Sequence, residues 1–179
     1  MKVNVWRSRA ALGLVGMVAL AWACAEKTPP PAAPAPEPEP CKELEKLPVV
    51  VDGASDLNAG PDGQPLPTIV RVYQLKGTGR LETASLDQLI RSAPEILGED
   101  VVDSREFTLN PRARFFPDMR RDSAATHVAV VGLVRRPSGN SWWAVATLPA
   151  SDPFHCHRRA ERTPWLQFFL QGYQVAYVP

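Results

Sequence analysis

Catalytic equipment is what this sequence has least of. It holds three histidines, and two of them, His155 and His157, flank a single cysteine. No Gly-x-Ser-x-Gly elbow, phosphate-binding glycine loop or zinc-helix motif occurs, so hydrolase, nucleotide and zinc-protease chemistry have no starting point. His127 opens an apolar stretch and reads as a strand-end or satisfied core residue rather than a general base. Ser55, Ser85, Ser123 and Ser138 all occupy turn or cap positions. Glu99, Asp100 and Asp103 look like helix-end and loop surface, not a working carboxylate pair. The expectation is a protein that is not an enzyme, with no metal and no cofactor.

Charge of one sign is also missing. A formal net charge of +1 argues against nucleic acid or a strongly charged substrate. The pairs Arg120-Arg121, Arg135-Arg136 and Arg158-Arg159 read as solvated surface. There is no internal repeat, and past residue 24 no apolar run is long enough to span a bilayer.

What is present begins at the N-terminus. Lys2, Arg7 and Arg9 form a positive segment, and the uncharged stretch from Ala10 to Ala23 ends at Ala21-Trp22-Ala23-Cys24. That is the build of a secretory signal. At about 14 residues the apolar run falls short of the roughly 20 that a membrane span needs. Two outcomes fit the junction: ordinary cleavage at Ala-x-Ala, or cleavage before Cys24 with a diacylglyceryl group on its thiol. Cys24 stands where a bacterial lipoprotein signal needs its cysteine, which favours lipidation. Ala25 lacks the aspartate that commonly retains such proteins in the inner membrane, so the outer membrane of a Gram-negative bacterium is expected. From Pro29 to Pro40 proline alternates with Ala and Glu, a composition that favours extended polyproline II and buries no core. Residues 1–23 are thus a signal peptide, 24–40 a lipidated cysteine with its tether, and 41–179 one folded domain.

Giving Cys24 to lipid leaves Cys41 and Cys156 as a pair in an oxidising compartment. A disulfide between them closes a loop of about 116 residues, for which chain entropy gives an upper figure of about 4.7 kcal/mol. A metal site at His155-Cys156-His157 and a free buried thiol are the alternatives, the former lacking a second ligand cluster.

Within the domain the apolar runs are short and rich in β-branched and aromatic residues. Strands are expected at Leu47 to Val51, Thr68 to Leu75, Val102 to Leu109 (ended by Asn110-Pro111), Thr126 to Val134 and Ser141 to Leu148, with a hairpin from Trp165 to Leu170 and Tyr173 to Val178 around Gln171-Gly172. Thr126 to Val134 is apolar on both faces, as a central strand requires. This spacing reads as a mainly β, antiparallel sandwich. Between strands two and three Ser85 can cap a helix with Gln88 reciprocating, and Leu86, Leu89 and Ile90 make its apolar face. A second turn opens near Pro94 and stops at Gly98, and this short helical insertion is expected to pack on one sheet face.

The order of these elements resembles the outer-membrane lipoproteins of type VI secretion systems, the TssJ (VasD, SciN) family. Leu57-Asn58, Gly63 and the run from Pro67 to Lys76 are similar to that family's approach to its second strand. Ala84 to Leu89 resembles its helix, Leu97 to Val102 its Leu-Gly-x-Asp segment, Glu106 to Pro111 the following strand and turn, and His127 to Arg135 with Trp142-Trp143 its central and tryptophan strands. The likeness covers roughly residues 47 to 178 and departs at Asn110-Pro111-Arg112, at Leu81 and before Cys24. It implies a transthyretin-like β-sandwich on the periplasmic face of the outer membrane. It also implies binding to the periplasmic domain of an inner-membrane TssM-type protein and, through it, a TssL-type protein.

The segment from Asp52 to Pro67 carries three glycines and three prolines and is far longer than a hairpin needs, which marks a loop that is either functional or disordered. The resemblance agrees, since the family's first loop is implicated in docking the partner. The expected partner-binding residues are Asp56, Leu57, Asn58, Ala59, Gly60, Pro61, Asp62, Gly63 and Gln64, although Leu57 and Asn58 also suit a role that merely pins the loop. The alternative function is a periplasmic lipoprotein that holds a glycan or small hydrophobe with Trp142, Trp143 and Trp165.

Overall fold

Residues that are apolar on both sides need cover on both sides, and the fold supplies it in three layers. The computed structural model describes residues 46–149 and 165–179. In chain order these form β1 (Val49–Gly53), β2 (Thr68–Leu75), α1 (Gly79–Thr83), α2 (Leu86–Leu97), a 3-10 turn (Gly98–Asp100), β3 (Val101–Leu109), β4 (Arg114–Phe115), β5 (His127–Gly132), β6 (Trp143–Thr147), β7 (Leu166–Gln171) and β8 (Gln174–Val178). One sheet runs β4-β1-β7-β8 and the other β3-β2-β5-β6. The chain is mainly β, a sandwich with a helical insertion between the second and third strands.

Strand alternation sorts the side chains. Val70, Val72, Val128 and Val130 pack against Val49, Val51, Leu166, Phe168 and Leu170 in the core between the sheets. Their neighbours Tyr73, Leu75, Ala129 and Val131 point the other way, onto Leu86, Leu89, Ala93 and Leu97 of α2. This is why β5 reads as apolar throughout.

The helix starts as its sequence dictates. The Ser85 hydroxyl accepts the Gln88 amide N–H at 3.3 Å and the Gln88 side chain accepts the Ser85 N–H at 2.8 Å, a complete capping box. Pro94 breaks the i to i−4 pattern, and the backbone kinks at Ser92 (φ −157°, ψ 57°) before the helix stops at Gly98. The buried stripe is Leu86, Leu89, Ala93 and Leu97. Ile90, expected on that face, is 48% exposed, because the stripe's 3- and 4-residue steps leave position 90 on the flank.

Three other expectations shift. The first strand begins at Val49 rather than Leu47, since Pro48 has no N–H to donate and Leu47 instead donates its own to Met119 O at 3.0 Å. β1 pairs with β7 in parallel, Val49 opposite Leu166 through Gly53 opposite Leu170, although every other named pair is antiparallel. Arg121, expected at the surface, is 5% exposed, its guanidinium donating to the carbonyl of Pro149.

Candidate functional site

The loop between β1 and β2 leaves the sandwich through a tight passage. A Cβ on Gly53 would stand 2.8 Å from the Asn110 carbonyl, so the crossing of the 110–113 turn demands glycine there. Ala54 N then donates to Leu170 O at 2.8 Å and Ala54 O accepts Arg112 N at 3.3 Å.

Leu57 and Asn58 pin the loop from inside. Leu57 is fully buried and belongs to the core between the sheets. Asn58 is 4% exposed. Its side-chain amide donates to Thr68 Oγ1 at 2.8 Å, its carbonyl oxygen accepts Arg135 N at 2.9 Å, and its backbone N–H donates to Gly172 O at 2.6 Å. Asn58 sits at φ +47°, a left-handed conformation that Asn tolerates better than most residues.

Beyond Asn58 the loop holds its own shape. Tyr173 Oη donates to Ala59 O at 2.7 Å. Gly60 N donates to Gln64 O at 2.8 Å, Gly63 N to Gly60 O at 3.1 Å and Leu66 N to Leu57 O at 3.0 Å. Gly63 lies at φ +74° with nothing within 4 Å of a built Cβ, so the tip turns in open solvent. Pro61, Asp62, Gly63 and Gln64 are exposed, as is Asp56, whose Oδ1 accepts Gly172 N at 3.4 Å; Ala59 and Gly60 are half-buried. The nine expected residues therefore divide into an exposed tip with Asp56, a half-buried leg and two buried pins.

Beneath the loop, Asp52 on β1 is 8% exposed and is held by Arg114 Nε at 2.6 Å, Arg114 Nη2 at 3.0 Å and Gln167 Nε2 at 2.8 Å. The hydrogen bond from Arg114 holds its carboxyl below the usual range, against the opposing effect of burial, with Gln167 assisting. Sequence reasoning missed this pair because the two residues are far apart in the chain.

The other candidates do not converge. Trp142 is 2% exposed under the helix layer, Trp143 packs beside it with centroids 6.4 Å apart, and Trp165 is 58% exposed on the other sheet. The three tryptophans form no common pocket. His127 has Nδ1 2.7 Å from Thr126 Oγ1 at the start of β5. Asp100 pairs with Arg80 at 3.7 Å, while Asp103 accepts from Gln74. A cleft of about 520 Å³ between α2 and β3 is lined by Arg71, Tyr73 and Ile90 among others. Arg71 is already committed there to Glu106 Oε2 at 2.6 Å and Leu89 O at 2.7 Å. Among the described residues no cluster of metal ligands occurs, and no helix is long and apolar enough to cross a membrane. Cys24, Cys41 and Cys156 lie outside the described residues, as do His155 and His157.

Fold and loop together define a class: a helix-backed β-sandwich that presents a rigid, internally bonded loop from one end. Residues 45–165 match the family described as type VI secretion lipoprotein, VasD, EvfM, TssJ, and the chain belongs to that family. Its members are lipoproteins of the type VI secretion membrane apparatus. Among solved structures, TssJ1 from Pseudomonas aeruginosa is similar at 24% identity and a TM-score of 0.63, over 75% of this chain and 95% of that one. A chain of a structure described as a type VI membrane complex is similar at 24% identity and 0.63, over 76% and 100%. A chain of the structure described as the type VI secretion protein TssM C-terminal domain from EAEC is similar at 22% and 0.59, over 76% and 98%. No curated protein sequence matches significantly.

Proposed function

We propose that this chain is a structural anchor of the type VI trans-envelope complex. Signal peptide 1–23 is removed, Cys24 carries lipid on the periplasmic face of the outer membrane, 24–40 tethers, and the domain 41–179, closed by a Cys41–Cys156 disulfide, catalyses no reaction. The tip of its first loop docks the periplasmic domain of a TssM-type inner-membrane protein and thereby reaches a TssL-type partner. Family membership supports the setting, as do the similar chains in a type VI membrane complex and in the TssM C-terminal domain structure.

The observation that carries the reading is the division of the loop. Its buried pins and bonded legs fix a tip whose Pro61, Asp62, Gly63 and Gln64 are exposed. A preordered loop loses little entropy on binding. Deleting the loop would also remove the Tyr173 contact to Ala59, so reversing the chemistry of the tip is the cleaner test. Asp62→Arg with Gln64→Arg, measured by calorimetry against the TssM-type periplasmic domain, is expected to weaken binding at least tenfold with folding intact. Unchanged affinity would move the interface elsewhere, first to the helical insertion around Leu86 to Gly98. Cys24→Ser is expected to release the mature chain into the soluble periplasmic fraction.

A further inference from the structure

Two large aromatic side chains stand in solvent where the anchor-bearing segment joins the fold. Phe116 is 54% exposed and Trp165 58%, and their rings meet edge to face with centroids 5.6 Å apart. Leu166 beside them lies in the core between the sheets, and Phe115, opposite the core residue Val51 and 38% exposed, stacks on Phe107 with centroids 3.9 Å apart. By strand alternation the pair therefore belongs to the outer face of the β4-β1-β7-β8 sheet. Val178, 45% exposed, continues the apolar surface on that face. The opposite sheet has its outer face covered by α2; among the described residues no helix covers this one.

The same corner is the root of the tether. Leu166 N donates to Pro48 O at 2.8 Å. Lys46 bridges to Arg120, and its Nζ lies 3.5 Å from Asp118, two residues beyond Phe116. Cys24 is about 22 residues upstream of Lys46, so a lipid there confines this corner to within about 70 Å of its leaflet.

We propose that Phe116 and Trp165 form a membrane-docking corner that enters the interface of the phospholipid leaflet carrying the anchor. The proposal rests on the reading that Cys24 is lipidated. Tryptophan and phenylalanine suit the boundary between headgroup and acyl chain, where an apolar body is buried and the indole N–H stays wet. The nearby cations Lys46 and Arg114 are paired with Asp118 and Asp52, so the charges beside the aromatic pair balance and the attraction to the leaflet is apolar. Alone, two side chains bind a membrane weakly. Tethering makes the contact intramolecular, and the high effective concentration keeps it occupied. The contact orients the domain, because β1 runs from this corner to Gly53, where the docking loop begins. With Phe116 and Trp165 in the leaflet, the loop faces away from it.

The test uses the full mature chain, purified from membranes and reconstituted into vesicles of phosphatidylethanolamine and phosphatidylglycerol, with or without brominated acyl chains. Trp142, Trp143 and Trp165 are its tryptophans. Brominated lipid is expected to quench a component of the emission that is absent in Trp165→Phe, whose fold and vesicle attachment are unchanged. Mass spectrometry reports the Cys24 lipid separately. A lipid-carrying, vesicle-bound chain whose emission is unaffected by bromine overturns the docking corner and leaves the anchor standing. If no lipid is found, the anchor reading fails, and quenching must then appear when the unlipidated chain is titrated with excess vesicles, or the corner fails as well. Should Phe116→Ser with Trp165→Ser abolish binding to the TssM-type domain while the wild type shows no quenching, the patch is a protein interface and the proposal is wrong.

Discussion

Asn58 offers the most direct test of how the loop is built. Its side chain makes a buried hydrogen bond to Thr68 Oγ1 and accepts a partly buried one from Arg135 N, each contributing about 1 kcal/mol net. Alanine loses both and also lacks the short polar side chain that lets Asn occupy φ +47°, a left-handed conformation that costs other L-residues roughly 1–2 kcal/mol. Glycine loses the bonds but keeps the backbone freedom. Asn58→Ala is therefore expected to destabilise the domain by about 3–4 kcal/mol and Asn58→Gly by about 2. Urea unfolding of the mature chain, followed by tryptophan emission, gives both values provided the slope with denaturant is unchanged. Hydrogen exchange at the Arg135 amide should accelerate in both variants. If glycine proves as damaging as alanine, the backbone part of the argument is wrong. If alanine stays within about 0.5 kcal/mol of the wild type, as ordinary surface substitutions do, the loop is not pinned here.

Asp52 governs part of the acid response. Its folded pKa is lowered from 3.8, so its stabilisation is complete above that value and disappears as the pH falls through the lowered folded value. Asp52→Asn should flatten that acid limb in pH-dependent unfolding, and an unaltered limb would contradict the assignment. Ser85→Ala removes half of the capping box and should cost about 1 kcal/mol, read from thermal or urea unfolding. The Cys41–Cys156 pairing predicts no alkylation of the denatured, unreduced mature chain apart from any free Cys24, and two modified thiols at 41 and 156 would refute it.

Much of the fold was legible because local and tertiary signals agree. Ser85 with Gln88 marks the helix start, and Thr68 to Leu75 is a strand with the expected bounds. The two-faced apolarity of β5 announced a layer on each side. What stayed hidden depends on distant parts of the chain. The parallel β1–β7 pair joins residues more than a hundred positions apart, and β4 is two residues long, too short for any period to register. α1 spans Gly79–Thr83, and one glycine-led turn leaves no amphipathic pattern. At the loop, length and composition identified the segment, but burial separated pins from tip: Leu57 and Asn58 are interior, while Asp62 and Gln64 meet solvent. The aromatic corner was unreadable in advance, because Phe116 and Trp165 come together only when β7 lies beside β1.

The position of β1 has a mechanical consequence. The chain enters it through Lys46 to Pro48 and leaves it at Ala54 into the first loop, so under the proposed function tension between the anchor and the partner would run along the strand axis. β1 is held by β7 across five register pairs and by β4 across two, and its hydrogen bonds lie across the direction of pull. Such bonds are sheared together instead of being peeled one after another. Five residues at about 3.3 Å each thus make a tie-rod of roughly 16 Å, gripped on both sides, which would carry such a load in shear.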